Sequence, residues 1–363
     1  MERITKQRKH RMRALKVAVI GDQFMKARYF TEALQAALPQ TALDIRTLEL
    51  DWPDTPMAHG YGADAGDPQL QGLKEYMGAP GAMAAFIADA EVLVNHLAPV
   101  TDGMLQRCAQ LKLVAVSRGG PVNIDMQAAR RRGVQVVNAP GRNASAVAEF
   151  TIGMILAQTR LITLGHVALM RGQWRGDLYR ADRTGEELCN QSVGLIGYGH
   201  IGSRVTKLLR PFGCRILVSD PYAQLDAADR AAGVAQVGLA ALLAQSDVVS
   251  LHARVTPETT GFIDAAAFAQ MKDGAHFINT ARGPMVDYAA LYAALQSGRL
   301  RGAALETFGV EPCDPADPLL RHPNVTLTPH IAGASIKTVR YAAGLCAEEV
   351  RRYLQGQAFA NPC

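Results

Sequence analysis

The sequence predicts an α/β protein made of two Rossmann-like or flavodoxin-like parallel-sheet domains with a cleft between them. Three observations carry that expectation. Short apolar runs alternate with helically spaced ones along most of the 363 residues, the pattern of parallel strands covered by helices on both faces. The alternation comes in two sets, divided by a long apolar helical pattern over residues 145–170. Within the second set, residues 193–220 (VGLIGYGHIGSRVTKLLRPFGCRILVSD) read as strand, glycine turn, helix, strand and terminal acid.

Strands of the first set are expected at 15–22, 43–50, 91–95, 113–116 and 134–138, with a helix at 27–38. Between 51 and 80 the pattern lapses into Gly, Pro and Asp, an insertion or surface excursion. The long helix leads into RGQWRGDLYRADRTG at 171–185, a polar connector carrying Arg171, Arg175, Arg180 and Arg183. Strands of the second set are expected at 193–196, 215–219, 247–251, 275–279, 302–305 and 325–327, and a final helix at 335–354 packs back on the first set.

Composition narrows the function classes. With 48% hydrophobic and 20% charged residues, the chain is an ordinary globular protein rather than a disordered one. Its net charge of +5 resides in the first thirteen residues, where Arg3, Lys6, Arg8, Lys9, Arg11 and Arg13 face only Glu2. The neutral remainder offers no basic body for nucleic acid, and the leader reads as a solvated arm, with an RNA or membrane-surface contact as the alternative. No apolar run reaches the roughly 18 residues of a membrane span, and the leader lacks a signal peptide's apolar segment, so a cytosolic (cytoplasmic) protein is expected. Cys108, Cys189, Cys214, Cys313, Cys346 and Cys363 form neither a CxxC pair nor a metal-spaced set, which predicts reduced thiols and no metal site.

Each part of the glycine stretch has a mechanical job. Gly197 permits a tight turn, Gly199 lets backbone approach a pyrophosphate, and Gly202 lets the helix lie close on the strand. The helix N-terminus presents free N–H groups to phosphates. Asp220, about 20 residues past the turn, can accept from ribose hydroxyls and would repel a 2′-phosphate, so NAD is expected rather than NADP. Three glycines alone often make only a turn; here strand, helix and acid all agree with the nucleotide reading.

Three later stretches each follow an expected strand: NTARGPMVD (279–287), LETFGVEP (305–312) and TPHIAGAS (328–335). They put Arg282, Glu311 and His330 at carboxyl ends of parallel strands, the edge where open α/β sheets bind ligands. A guanidinium there suits a carboxylate, an imidazole suits proton transfer, and a neighbouring carboxylate orients the imidazole and favours its protonated form. Singly, each has an ordinary alternative: a surface arginine, a solvated loop acid, a hydrogen-bonded structural histidine.

Together with Gly197, Gly199, Gly202, Asp220 and LHARVTPETTG (251–261), these stretches occur in the order found in the D-isomer-specific 2-hydroxyacid dehydrogenases, the group containing D-3-phosphoglycerate dehydrogenase, and the chain resembles that family over roughly residues 90 to 340. SRGGPVNID (117–125) and NAPGRNASAVAE (138–149) look like its substrate loop and interdomain crossing. The resemblance implies a substrate domain from 15–142 and 334–363, an NAD-binding domain from 143–333, and a disordered leader over 1–14. It makes Arg282 the binder of the substrate carboxylate and adjacent oxygen, His330 the acid/base and Glu311 its partner, with Arg118, Gly119 and Gly120 at the substrate. It puts His200 and Ile201 at the pyrophosphate, and Thr280, Ala281, Glu306 and Gly333 near the nicotinamide half, with His252 also at the cofactor. The implied reaction moves a hydride between nicotinamide and C2 of a small 2-hydroxy or 2-oxo acid, with phosphorylated and sugar-acid-like substrates left open. A homodimer through the cofactor domain is implied, and, with no regulatory module after Cys363, no serine feedback. Two departures stand out: Glu306 where many relatives carry Asp, and GGPVN in the substrate loop.

Arg118 or the connector arginines could read a second anionic group; equally, the connector could be a solvated or subunit-contacting arm neutralised by Asp177 and Asp182. Two other functions use the same fold. An NAD(H)-sensing interaction protein of the corepressor type would bind dinucleotide without turnover, whereas intact Arg282, Glu311 and His330 favour catalysis. Formate or phosphite oxidation is disfavoured because formate dehydrogenases carry Gln where Glu311 stands.

Overall fold

Leu15–Asp22 (β1), Leu43–Leu50 (β2), Val92–Asn95 (β3), Leu113–Val116 (β4) and Gln135–Val137 (β5) form a sheet of order β2-β1-β3-β4-β5 in the computed structural model, which describes residues 13–52 and 66–363. Every pairing is parallel, and the order is that of flavodoxin-like sheets. β3 and β4 are buried along their whole length, which is why they read as unbroken apolar runs. Phe30 and Leu34 of helix Ala27–Ala37, with Val339, Ala343 and Val350 of helix Ile336–Leu354, fill one core of this unit; Ile87, Met104 and Leu111 belong to another. Residues 1–12 of the leader and 53–65 of the expected excursion lie outside the described residues, while Arg13 pairs with Glu91 at 3.3 Å.

The second sheet comprises Ser192–Ile196 (β6), Arg215–Ser219 (β7), Ala235–Gln236 (β8), Val248–Leu251 (β9), Ala275–Asn279 (β10), Leu300–Leu305 (β11) and Val325–Leu327 (β12). Its order, β12-β11-β10-β9-β6-β7-β8, is again all parallel. Counted from β6 this is the Rossmann order 3-2-1-4-5-6 with one strand added beyond it, and the order reverses between β6 and β9. Described residues before 143 and from 339 onward make one compact unit, and 143–338 make the other. The two parallel-sheet α/β domains expected from the sequence are both present.

The helix expected over 145–170 is instead two, Ala144–Thr159 and Ile162–Met170, bent by 69°. Leu161 has φ 57°, a left-handed backbone that no α-helix continues through. Side chains on either side of the break both reach β12: Gln158 Oε1 accepts from the Thr326 hydroxyl at 3.0 Å, and Thr163 shares a 3.0 Å bond with that same hydroxyl. Apolar spacing is blind to a one-residue break of this kind. β8 was not expected, since two residues have no periodicity, and β11 begins two residues before the expected 302. No single described helix is long and apolar enough to cross a membrane.

Candidate active site

The turn after β6 lies at the reversal of strand order, the place where such sheets receive ligands. Gly197 has φ 102°, and a Cβ on it would stand 2.8 Å from the carbonyl of His252 at the end of β9. A Cβ on Gly202, the first residue of helix Gly202–Leu209, would collide with the Gly197 carbonyl oxygen. Gly199 differs: among the described residues, nothing beyond its chain neighbours lies within 4 Å of the position its Cβ would take. That bare backbone, with exposed His200 and half-buried Ile201 following, fits a dinucleotide's phosphates. His252 is buried, its Nε2 is 2.9 Å from the Ser250 hydroxyl, and its Nδ1 has no partner among the described residues. Burial pushes its pKa down to about 3, so at this edge it is a neutral imidazole with one nitrogen to offer.

Asp220 follows β7, and its carboxylate already accepts three main-chain N–H groups: Tyr198 at 2.8 Å on Oδ2, and Tyr222 at 2.8 Å and Ala223 at 3.0 Å on Oδ1. The acid expected to hold the ribose therefore also ties the glycine turn to the loop beyond β7. Tyr198 reinforces the tie, donating its hydroxyl to the buried carboxylate of Asp229, which Arg210 also contacts at 3.2 Å. Burial and that carboxylate push the Tyr198 phenol up to about 12, keeping it protonated as a donor.

Arg282, Glu311 and His330 follow β10, β11 and β12. His330 Nδ1 is 2.7 Å from Glu311 Oε2, and Glu311 Oε1 accepts the Phe308 N–H at 2.8 Å. A Cβ on Gly283 would run into the Phe308 carbonyl, so the turn carrying Arg282 lies directly against the turn leading to Glu311. Thr280 shares a 2.8 Å hydroxyl bond with Thr151, Ala281 donates its N–H to Asn279 Oδ1 at 3.0 Å, and Arg282 donates to the Ala281 carbonyl at 2.8 Å. A Cβ on Gly333 would lie 2.7 Å from Asn143 Nδ2.

Glu306 is almost wholly buried, and both of its carboxylate oxygens are engaged by the segment around His330: the Thr328 hydroxyl donates to one and the Ala332 N–H to the other. Its carbonyl accepts the His330 N–H at 3.0 Å. Burial raises the pKa of this acid, against the two hydrogen bonds that favour its charge. Sequence reasoning put Glu306 near the nicotinamide; its grip on residues 328–332 was not anticipated, since nothing in the spacing reports a side chain reaching from β11 past β12.

In the first unit, Arg118, Gly119 and Gly120 follow β4 at its carboxyl edge. Asn138 Nδ2 donates to the Gly119 carbonyl at 3.0 Å, and among the described residues nothing beyond chain neighbours crowds the Cβ position of either glycine. Arg118 forms an ion pair with Glu75, both largely buried. Sequence reasoning also missed the pair Asp22–His96, at the ends of β1 and β3, with Nδ1 2.5 Å from Oδ2 and Arg142 at 3.4 Å from Nε2. Burial drives His96 toward its neutral form against the pull of Asp22, so Nδ1–H donates to the carboxylate and Nε2 accepts. The available signal was the position of both residues directly after apolar runs.

Three of the four connector arginines are neutralised locally. Arg175 is bidentate on Asp177, Arg180 is bidentate on Asp182, and Arg183 reaches Asp177 at 2.6 Å.

A Rossmann-ordered sheet with a nucleotide turn at its reversal point, and an imidazole–carboxylate pair on the strand ends beyond, defines a nicotinamide-dependent oxidoreductase. The model of the D-isomer specific 2-hydroxyacid dehydrogenase NAD binding domain matches residues 152–332. Glyoxylate reductase of Thermofilum pendens is 38% identical over 272 residues, 75% of this chain and 80% of that one. D-3-phosphoglycerate dehydrogenase of Archaeoglobus fulgidus is 36% identical over 270 residues, 74% of this chain but 50% of that protein, so the chain spans about half of that longer relative. The apo-structure of D-lactate dehydrogenase from Escherichia coli superposes with TM-score 0.72 and 25% identity, covering 96% of this chain and 99% of that one. The chain belongs to the D-isomer-specific 2-hydroxyacid dehydrogenase family, and its cofactor is NAD.

Proposed function

We propose that the chain interconverts a D-2-hydroxy acid and its 2-oxo acid, with His330 as acid/base, Glu311 as its partner and Arg282 as the carboxylate binder. The observation that carries this reading is the 2.7 Å contact between His330 Nδ1 and Glu311, which commits that ring nitrogen to the carboxylate and assigns the proton transfer to Nε2. Bound NAD supplies the hydride acceptor for oxidation. In that direction Nε2 takes the proton of the C2 hydroxyl, the O–H electron pair becomes the second C–O bond, and C2 loses its hydrogen with both electrons. In reduction Nε2 returns the proton to the carbonyl oxygen. The Arg282 fork holds the carboxylate, so that C2 is fixed for transfer. Gly197, Gly199, Gly202, His200, Ile201 and Asp220 seat the dinucleotide in the 143–338 unit, and the first unit supplies the substrate loop.

Relatives are named for a phosphorylated acid and for glyoxylate, which differ in the tail and share the 2-hydroxy or 2-oxo acid head. The working assembly is a homodimer through the 143–338 unit, supported by exposed Ile162, Leu169, Met170, Trp174 and Tyr179 within one short stretch. The cytosol is the location most consistent with six free cysteines.

Absorbance of NADH, followed with paired D- and L-2-hydroxy acids, tests the reaction. Turnover of D-acids only is expected, with His330→Asn slower by about 10²–10⁴-fold. NADH binding without turnover of any acid, or a fully active His330→Asn, would replace the dehydrogenase with a nucleotide sensor.

A further inference from the structure

The loop expected to receive the substrate carboxylate begins with an arginine whose charge is already answered. Arg118 follows β4 directly, on an edge fixed by the bond from Ser117 N to the Asn95 carbonyl at 2.8 Å. Its partner Glu75 comes from a segment that sequence periodicity does not read. That segment crosses the same edge: Lys74 N donates to the Val122 carbonyl and Met77 N to the Leu97 carbonyl, each at 2.9 Å. Glu75 sits between these two attachments with φ 50°, a left-handed conformation that costs a non-glycine residue free energy. A buried ion pair returns little net stability, because desolvating both charges offsets most of their attraction. Stability therefore does not account for a backbone held in a costly conformation to bury a carboxylate against Arg118.

We propose that Glu75 is a charge filter on substrate choice: by occupying Arg118 beside Gly119 and Gly120, it restricts the enzyme to 2-oxo and 2-hydroxy acids with small, uncharged tails. A substrate with a second anion, a phosphate or a distal carboxylate, would need a cation on this edge and would meet a carboxylate there instead. Like charges brought together at an interface act against the wrong partner, a route to specificity distinct from adding contacts to the right one. Three of the four connector arginines are likewise answered already, Arg175 and Arg183 by Asp177 and Arg180 by Asp182. The filter rests on the reading that residues 118–120 form the substrate loop.

The test compares kcat/KM for glyoxylate and hydroxypyruvate with kcat/KM for 3-phosphohydroxypyruvate and 2-oxoglutarate, with NADH as donor. The unmodified enzyme is expected to favour the uncharged tails by about 100-fold. Glu75→Gln, which keeps a hydrogen-bonding side chain but removes the charge, should improve the charged tails by at least about tenfold and leave glyoxylate within about threefold. The double variant Glu75→Gln/Arg118→Gln, which strands no buried charge, should lose that gain and serves where the single variant fails to fold. Preference of the unmodified enzyme for phosphorylated or dicarboxylic acids, or an unchanged ratio in Glu75→Gln, overturns the filter while leaving the dehydrogenase standing. Turnover of none of the four acids removes both.

Discussion

The main-chain N–H of His330 donates to the carbonyl of Glu306 at 3.0 Å, while the Glu306 carboxylate takes the Thr328 hydroxyl and the Ala332 N–H on either side of it. His330 needs such a hold, because its φ of 54° lies in the left-handed region, where a histidine is uncommon and stays only if its surroundings over-determine it. Thr328→Val removes one grip at nearly constant shape. We expect kcat to fall about 5- to 30-fold, as for the loss of a hydrogen bond to a buried charged group, with NADH dissociation unchanged. Unchanged kcat together with weakened NADH binding in Glu306→Gln would place this acid's role at the cofactor instead.

The three glycines of the nucleotide turn should fail in different ways. Gly202→Ala forces a methyl group against the Gly197 carbonyl, so both thermal stability and NADH affinity should drop. Gly199→Ala meets nothing among the described residues beyond its chain neighbours, so Tm should stay within about 2 °C while NADH affinity falls about tenfold or more. Differential scanning calorimetry paired with NADH fluorescence titration separates the two. Equal loss of Tm in both variants would contradict the idea that the space over Gly199 belongs to a ligand.

Replacing Asp220 should not simply convert the enzyme to NADP. Its carboxylate accepts from Tyr198, Tyr222 and Ala223, so Asp220→Ala leaves these N–H groups without their acceptor as well as removing the proposed ribose contact. A loss of about 1–3 kcal/mol in urea unfolding is expected, along with weak binding of both dinucleotides. Tight NADPH binding with unaltered stability would show that the N–H groups find other acceptors.

His276 lies buried in β10, and burial, aided by Arg301 and opposed by Asp247, pushes its pKa down to about 4. A histidine depressed in the folded state binds its proton more readily when unfolded. Its stability contribution is thus complete above the unfolded pKa near 6.5 and is lost as pH falls toward 4, by about 3 kcal/mol at most. Urea midpoints at pH 8, 6 and 4.5 should decline more steeply for the natural chain than for His276→Leu. Parallel declines would assign the acid sensitivity elsewhere.

What the sequence made legible follows from how locally each signal is written. β3, β4, β9 and β10 are buried throughout, so their apolar runs announced them. The glycine turn and Asp220 were readable because strand, turn, helix and acid are contiguous, and Glu311 and His330 because each follows a strand in a recognisable order. The left-handed break at Leu161 was not, since one residue's φ leaves no trace in hydrophobic spacing. Glu75 was invisible for a different reason: it lies in a stretch with few apolar anchors, and its partner Arg118 is remote in the chain. The Arg–Asp pairing in the connector stood among the alternatives because those charges are neighbours in sequence; Asp22–His96, formed only when β1 and β3 align, had no such local mark.

The side chain of Asn143 reaches within 2.7 Å of where a Cβ on Gly333 would stand, so the polypeptide enters and leaves the 143–338 unit at nearby points. Joining ends that lie near each other costs little closure entropy, which is the condition under which a segment behaves as a cassette. A peptide spanning 143–338 should therefore fold and bind NADH unaided, and a short bridge between its ends would make it a portable dinucleotide module.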